Sequence, residues 1–413
     1  MRISAGLPRG VAALLFAAAR RRRRLEARLA AALEAAGFSE VVLPIVDYLE
    51  PYEPLLTAAS RGELYRFVDR DGELLALRAD FTPALARLLA PMLAAQGDGG
   101  AAGGGAGDGG AGDGGAGDRA ALALPLRLFY RGDVVRFEEE RPGRQRELYQ
   151  VGAELIGAAG EAAERDMLRL FLALLTAAAE EVSAGAGDGG AGEPPALRVV
   201  LGFAGALDRA LAAAAAGGAD PAVLARALVR RERAPLRRAG GVLLSVAEDG
   251  LPDAAADLGP EAAPRFERLV ALAGEMAAEF PRVELAIDLA EFTQHVLDPA
   301  LDTSLAPVYE PGSAAGGERA YYDGLVFHAY AGELALPAGA GGRYDRLFAR
   351  LGAAVPAVGF SFGLERLLAD GVRRRRPTRA RPARVAVGAA AGGGAGGAKS
   401  GGAKRGGAGE GER

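Results

Sequence analysis

The 413-residue sequence predicts an α+β fold: a mainly antiparallel sheet flanked by helices, with a helical insertion over residues 204–281. Three features carry that expectation. Val134 to Glu138 and Arg144 to Ile156 read as two strands rich in β-branched and aromatic residues, joined by a charged turn at Pro142-Gly143. Asp71-Gly72 marks a second hairpin between Leu64 to Val68 and Glu73 to Ala79. Helical patterns occupy Val11 to Ala36, Gly160 to Val182 and most of Ala206 to Phe280.

In chain order, Leu7 to Gly10 is an extended entry to the first helix, which breaks off at Gly37. Arg20 to Arg24 admits two readings. It is either a nucleic-acid contact or the solvated face of an amphipathic helix whose Leu25, Leu29 and Leu33 recur at i+4. Phe38 to Val46 reads as a strand with Pro44 at an edge or interface. After the Asp-Gly hairpin, Thr82 suits a helix N-cap and Pro83 the first helical position. Further strands are expected at Leu197 to Phe203, Val283 to Leu289, Tyr321 to Tyr330 and Val358 to Phe362. Gly339 to Gly342 reads as free backbone before a helix beginning near Arg343, and Gly363 leads into a helix carrying Glu365 and Arg366. Residues 97–118 and 184–193 repeat Gly, Ala and Asp and cannot bury a core, so both are expected to be disordered insertions. The tail 373–413 opens with seven arginines between Arg373 and Arg384 and continues in Gly, Ala and Lys; it too is expected to be disordered. One folded domain over 1–372 follows.

Composition excludes several function classes. Half of the residues are apolar and a quarter charged, as in globular proteins. A net charge of −4 gives no general attraction to polyanions. Without cysteine there is neither a disulfide framework nor a thiolate metal site. His295 and His328 are the only histidines, too few for a multi-histidine metal centre, so no metal or cofactor is expected. Val11 to Ala19 is too short to span a bilayer, and no signal-peptide pattern ends it. A cytoplasmic protein without membrane contact is expected.

The two strands of residues 134–156 hold the chemistry. Strand side chains alternate, which puts Arg136 and Glu138 on one face, and Arg144, Arg146, Gln150 and Glu154 on one face of the partner strand. Val151, Ala153 and Leu155 then face a core, and Gly152 leaves room between Gln150 and Glu154. Guanidiniums suit phosphate or carboxylate. Carboxylate and amide suit an ammonium or imidazole N–H. The same pattern also fits a wet sheet face with cross-strand Arg–Glu pairs.

This stretch resembles motif 2 of class II aminoacyl-tRNA synthetases in its histidyl-tRNA synthetase form. Arg136, Glu138, Gly143, Arg144, Arg146, Gln150, Gly152 and Glu154 align without a gap. LPIVD (Leu43 to Asp47) resembles the motif 1 dimer element, and LRADFTP (Leu77 to Pro83) the segment that grips the amino group of histidine. GGRYD (Gly341 to Asp345) with AVGFSFGLERL (Ala357 to Leu367) resembles motif 3, whose Arg is Arg366. The resemblance covers roughly residues 5 to 370.

Two departures separate the chain from a synthetase. In GERAYYDGLVF, aligned on Tyr321 and Tyr322, the activating Arg falls on Gly317, with Arg319 two residues out of register. No foldable anticodon-reading domain is expected after residue 372. With GLVFHAY (Gly324 to Tyr330), these features resemble the regulatory subunits of ATP phosphoribosyltransferase.

That resemblance implies a six- or seven-stranded, mainly antiparallel sheet and a motif 1 homodimer within a hetero-oligomer. It implies a histidine pocket with Asp80, Thr82 and Gln150 at the ammonium, and Glu154 and Tyr322, beside Tyr321, at the ring. His328 could line the same cavity, where related proteins more often carry an acid. Arg136, Arg144 and Arg366 are nucleotide or phosphate candidates. The implied partner is the short catalytic subunit of the phosphoribosyltransferase, in the first step of histidine biosynthesis. The implied role is non-catalytic: activation of that subunit and feedback by histidine as effector, with no tRNA partner. Two alternatives stay open: a histidyl-tRNA synthetase activating histidine with ATP, and an amino-acid sensor or RNA-binding paralogue using the basic tail.

Overall fold

The computed structural model describes residues 6–8, 10–56, 58–98, 122–137, 145–184, 194–238, 243–246, 258–293, 322–332, 334 and 336–369. Helix α1 (Phe16–Ala35) buries Leu25, Leu29 and Leu33 along one stripe. This supports the amphipathic reading, and Arg20, Arg23 and Arg24 of the arginine run are exposed. The helix starts five residues later than its apolar pattern, because Phe16 takes a left-handed φ of 47°. The strand expected over Phe38 to Val46 divides around Pro44 into β1 (Ser39–Glu40) and β2 (Val46–Tyr48). The Asp-Gly hairpin forms β3 (Arg66–Val68) and β4 (Leu74–Leu77). With β2 these make a separate three-stranded sheet in the order β2-β4-β3.

A short helix α2 (Ala58–Glu63) precedes β3, and α3 (Phe81–Asp98) follows β4. The first motif strand, β5 (Leu126–Val135), begins eight residues earlier than Val134, and its partner is β6 (Glu147–Ile156). Arg136 lies one step past β5 and bridges to Leu64. Helix α4 (Gly160–Ala184) leads to β7 (Leu197–Phe203). The insertion contains α5 (Asp208–Ala216), α6 (Pro221–Arg230), α7 (Arg233–Arg237) and α8 (Ala262–Glu279) before β8 (Val283–Ile287). Strands β9 (Leu325–Ala331) and β10 (Gly339–Arg343), helix α9 (Asp345–Arg350), strand β11 (Ala357–Gly363) and helix α10 (Leu364–Leu367) close the described fold.

The main sheet has eight strands rather than six or seven, in the order β1-β5-β6-β11-β10-β9-β7-β8. Its inner six pair antiparallel, while β1 on β5 and β8 on β7 are parallel. The helical insertion supplies the crossover that the parallel β7–β8 pair requires. One sheet face buries Val151, Ala153, Leu155, Phe327 and Phe360 against α1, α4 and α8. The opposite face carries the polar residues of β6 and meets α3 and α9.

Gly339 to Gly342 is not a loop before a helix but part of the central strand β10; the helix begins at Asp345. Close packing explains the glycines. An added Cβ at Gly341 would lie 2.5 Å from the Gly359 carbonyl oxygen and 2.6 Å from the Phe327 ring. The expected insertions at 97–118 and 184–193 lie outside the described residues, apart from the helical Gly97, Asp98 and Ala184. The tail 373–413, His295, Glu138, Arg144, Gly317, Arg319 and Tyr321 lie outside them as well.

Gly341→Ala has no cheap relief, since one neighbour is backbone. It should cost about 1–3 kcal/mol of stability, read as a lower urea midpoint at fixed protein concentration with an unchanged m-value. A wild-type midpoint would show that β10 tolerates a methyl group there.

Candidate functional site: a buried carboxylate over the sheet

Glu154 sits on the inner part of β6, and register decides what surrounds it. Across the sheet its row reads Leu128, Glu154, Gly359, Gly342; the adjacent row reads Tyr130, Gly152, Ser361, Ala340. An added Cβ at Gly359 would overlap the Glu154 carboxylate, and one at Gly152 would lie 2.5 Å from the Tyr130 hydroxyl. These glycines give the carboxylate and the phenol their space.

Glu154 is 1% exposed. Three hydroxyls donate to it: Thr82 Oγ1 to Oε1 at 2.6 Å, Tyr130 Oη to Oε1 at 3.1 Å, and Tyr344 Oη to Oε2. Thr82 arrives from the first turn of α3, Tyr130 from β5 and Tyr344 from the step after β10. Tyr130 is fixed by stacking on Phe81, with ring centroids 4.2 Å apart.

Capping at the start of α3 differs from the sequence expectation. Asp80 rather than Thr82 caps the helix, its Oδ1 accepting from the Thr82 N–H at 3.2 Å. The Thr82 hydroxyl is thereby available to Glu154. Arg136, 1% exposed, anchors the other side of Asp80. Its Nε donates to the Ala79 carbonyl at 2.7 Å, and Nη2 lies 3.5 Å from Asp80 Oδ2.

Asp80, Thr82, Glu154 and Tyr322 line one cavity together with Tyr130, Tyr344 and Ser361. Gln150 lies two residues before Gly152 on β6 and does not line it. Gln150 is 1% exposed, and its Oε1 accepts no hydrogen bond among the described residues. A buried amide oxygen without a donor is costly and suits an incoming N–H. Arg366 is buried in α10, away from this cavity, with Nη1 donating to the Pro337 carbonyl at 2.8 Å. His328 does not reach the cavity either. Its Nδ1 lies 3.0 Å from Glu291 Oε1, which also accepts from the Tyr330 hydroxyl at 2.7 Å. The acid beside His328 therefore comes from a turn after β8. Sequence reasoning missed Tyr130 and Tyr344. The gap at Gly152 was the available signal for the first, and GGRYD contains the second.

Electrostatics favour a donor ligand. Burial pushes the Glu154 carboxyl up to about 7, against the three hydroxyls, and the nearby Asp80 charge adds to the rise. Burial likewise raises Asp80, with Arg136 opposing. Arg136 and, more weakly, Arg78 act on the Asp80 carboxylate, while no cation pairs with Glu154 among the described residues. The cavity leaves about 10 Å³ for water centres, about what one water needs. A larger ligand must displace a side chain.

The chain is similar to known proteins over most of its length. The histidyl-tRNA synthetase family model matches residues 10–99 and 116–367. A protein of Moorella thermoacetica named ATP phosphoribosyltransferase regulatory subunit is 32% identical over 381 residues, covering 88% of this chain and 81% of the relative. The chain belongs to the histidyl-tRNA synthetase-like family of ATP phosphoribosyltransferase regulatory subunits. A histidine–tRNA ligase of Pyrobaculum arsenaticum is 29% identical over 357 residues, covering 84% of this chain and 70% of the relative. The fold matches a Bacillus halodurans crystal structure titled as a regulatory subunit/histidyl-tRNA synthetase, with a TM-score of 0.61 at 20% identity, covering 89% of this chain and 83% of that one. The class II synthetase fold expected from the motifs is thus the observed one. Among the described residues no helix is long and apolar enough to cross a membrane, and no acidic or histidine cluster fits a metal ion.

The raised Glu154 value sets a pH signature. Its unfolded value is near 4.5 and its folded value about 7. Between them the folded protein holds a proton that the unfolded chain has lost, so stability falls as pH rises through this window. The loss is at most about 3 kcal/mol. Urea unfolding from pH 4.5 to 7.5 should show this fall in the wild-type protein and a shallower one in Glu154→Gln. Parallel curves would place the proton elsewhere.

Proposed function

We propose that this chain is a non-catalytic regulatory subunit of ATP phosphoribosyltransferase that binds free histidine over its sheet. It activates a short catalytic subunit and passes histidine feedback to it, in the first step of histidine biosynthesis. The observation that carries the reading is Glu154, buried among hydroxyls in a chain whose relatives are named regulatory subunits. An imidazole N–H replaces one hydroxyl on Glu154, with Tyr322 beside the ring. The ammonium takes Asp80 and Thr82; the orphaned Gln150 oxygen, outside the closed cavity but on the same strand face, is the third candidate. Tyr321, whose placement lies outside the described residues, neighbours this wall in sequence. The activating and histidine-bound complexes must differ in their affinity for histidine, since equal binding shifts nothing.

The proposal includes a homodimer through the three-stranded sheet. Tyr48, Leu75 and Phe67 form one cross-strand row, and on that face Val46, Tyr48 and Phe67 are exposed. Such an apolar face calls for cover, and motif 1 resemblance assigns it to a second copy.

The synthetase reading rests on retained Arg136 and Arg366 and on the ligase relative. Arg144, the third nucleotide candidate, belongs to the same reading.

Adding the chain to a short catalytic subunit should raise phosphoribosyl-ATP formation, and histidine should reverse the gain. Histidine-dependent pyrophosphate exchange should be at background. By calorimetry Glu154→Gln should weaken histidine about 10- to 100-fold, the worth of a charge-assisted hydrogen bond. Exchange at a synthetase's rate, or no activation at any ratio, would overturn the assignment. Separately, Tyr48→Asp should shift sedimentation from dimer to monomer; an unchanged dimer would place the interface elsewhere.

A further inference from the structure

A second cavity, of about 380 Å³, opens between the start of α4, helix α8 and the entry to β9. It shares no lining residue with the Glu154 pocket. Phe203, Leu269, Leu272 and Leu325 form its apolar wall. Its size falls in the range of small-molecule sites, which combine such walls with a few polar groups.

The charges around it are nearly all spoken for. Arg165 pairs with Glu275 at 3.0 Å, and Arg268 with Glu161 at 2.6 Å. Arg343 pairs with Glu164 at 2.7 Å and Asp345 at 3.1 Å. The Asp323 carboxylate accepts the backbone N–H groups of Asp345 and Arg346, at 3.2 and 2.7 Å. Arg265 differs. Among the described residues it has no carboxylate within ion-pair range; Nη2 makes one long bond, 3.3 Å, to the Asp323 carbonyl. Its guanidinium lies 4.8 Å from the Phe203 ring centroid. It is half-buried, and burial pulls its pKa down against the pull of Glu164 and Asp323. A flat, partly dehydrated guanidinium held on an aromatic ring presents its fork to an oxyanion.

We propose that this cavity is a ligand site for a small carboxylate with an apolar body, the carboxylate on Arg265 and the body against Leu269 and Leu272. The wall also reaches the first pocket through the chain. Asp323 follows Tyr322, and Arg343 precedes Tyr344, so the two sites share backbone at both tyrosines. The site itself stands independently of what the Glu154 pocket holds.

The test uses the full-length chain and 3-phenylpropionate as probe, followed by ligand-observed NMR and calorimetry. Neutral 3-phenylpropanol and inorganic phosphate serve as comparators. Phenylpropionate should bind, and each comparator should bind at least about tenfold more weakly, because each lacks one half of the recognition. Arg265→Gln should weaken the probe by about tenfold or more. Ala271→Phe, which fills the mouth from an exposed helix position, should abolish binding in a chain of unchanged melting temperature. Glu154→Gln should leave probe affinity unchanged. No binding at millimolar probe, equal binding of phosphate, or indifference to both Arg265→Gln and Ala271→Phe would overturn the site. Loss on Glu154→Gln alone would mean the probe had entered the other pocket.

Discussion

A carboxylate held out of water is the constraint on which the rest of this structure turns. Removing an unpaired carboxylate from solvent costs several kcal/mol. Here Thr82, Tyr130 and Tyr344 offset that cost by directing hydroxyls at Glu154. The donors come from positions far apart in the chain, so the site exists only when α3, β5, β6, β10 and β11 are assembled in register. A one-residue slip of β6 would turn Glu154 into the apolar layer beside Phe171 and Leu155 into the pocket. The glycines belong to the same constraint. Gly359 and Gly152 stand where any Cβ would collide with the carboxylate or with the phenol that holds it.

Charge balance then determines what such a pocket prefers. The Asp80 charge raises the proton affinity of Glu154, and Arg136 is bound to the Asp80 side. When both acids are ionised, Glu154 has no cation paired with it among the described residues. An ammonium or an imidazole N–H supplies what is missing, whereas a phosphate would meet two carboxylates. The orphaned Gln150 oxygen points the same way, because it lacks a donor and not an acceptor.

Much of this was legible along β6 alone. Alternation separates Gln150 and Glu154 from Val151, Ala153 and Leu155, and the structure buries each set on its expected side. The parts that were not legible depend on distant neighbours. Local rules make four successive small residues at 339–342 a loop, since glycine weakens a strand. They form a strand because Phe327, Phe362 and Tyr322 need the room, which no local pattern reveals. At the start of α3 both Asp80 and Thr82 are competent caps. The choice is made by Glu154, 72 residues away, which engages the Thr82 hydroxyl. The parallel outer strands β1 and β8 escaped for a related reason: edge pairing depends on crossovers and not on strand composition.

Arg136 and Arg366 keep a synthetase reading in play. A retained catalytic residue argues for retained chemistry only if the fold has no other use for it. Arg136 has one: it ties the Ala79 carbonyl and Asp80, and so sets the start of α3 and the position of Thr82. Arg366 has another, closing the Pro337 carbonyl ahead of β10. Both are almost fully buried. Substituting either would leave buried polar groups without partners, at a cost of about 1–3 kcal/mol each. A family member that gave up adenylate chemistry would therefore still keep these arginines, whereas an arginine working only on a substrate would be free to drift. The presence of Arg136 is accounted for by the fold, whatever chemistry the chain carries out.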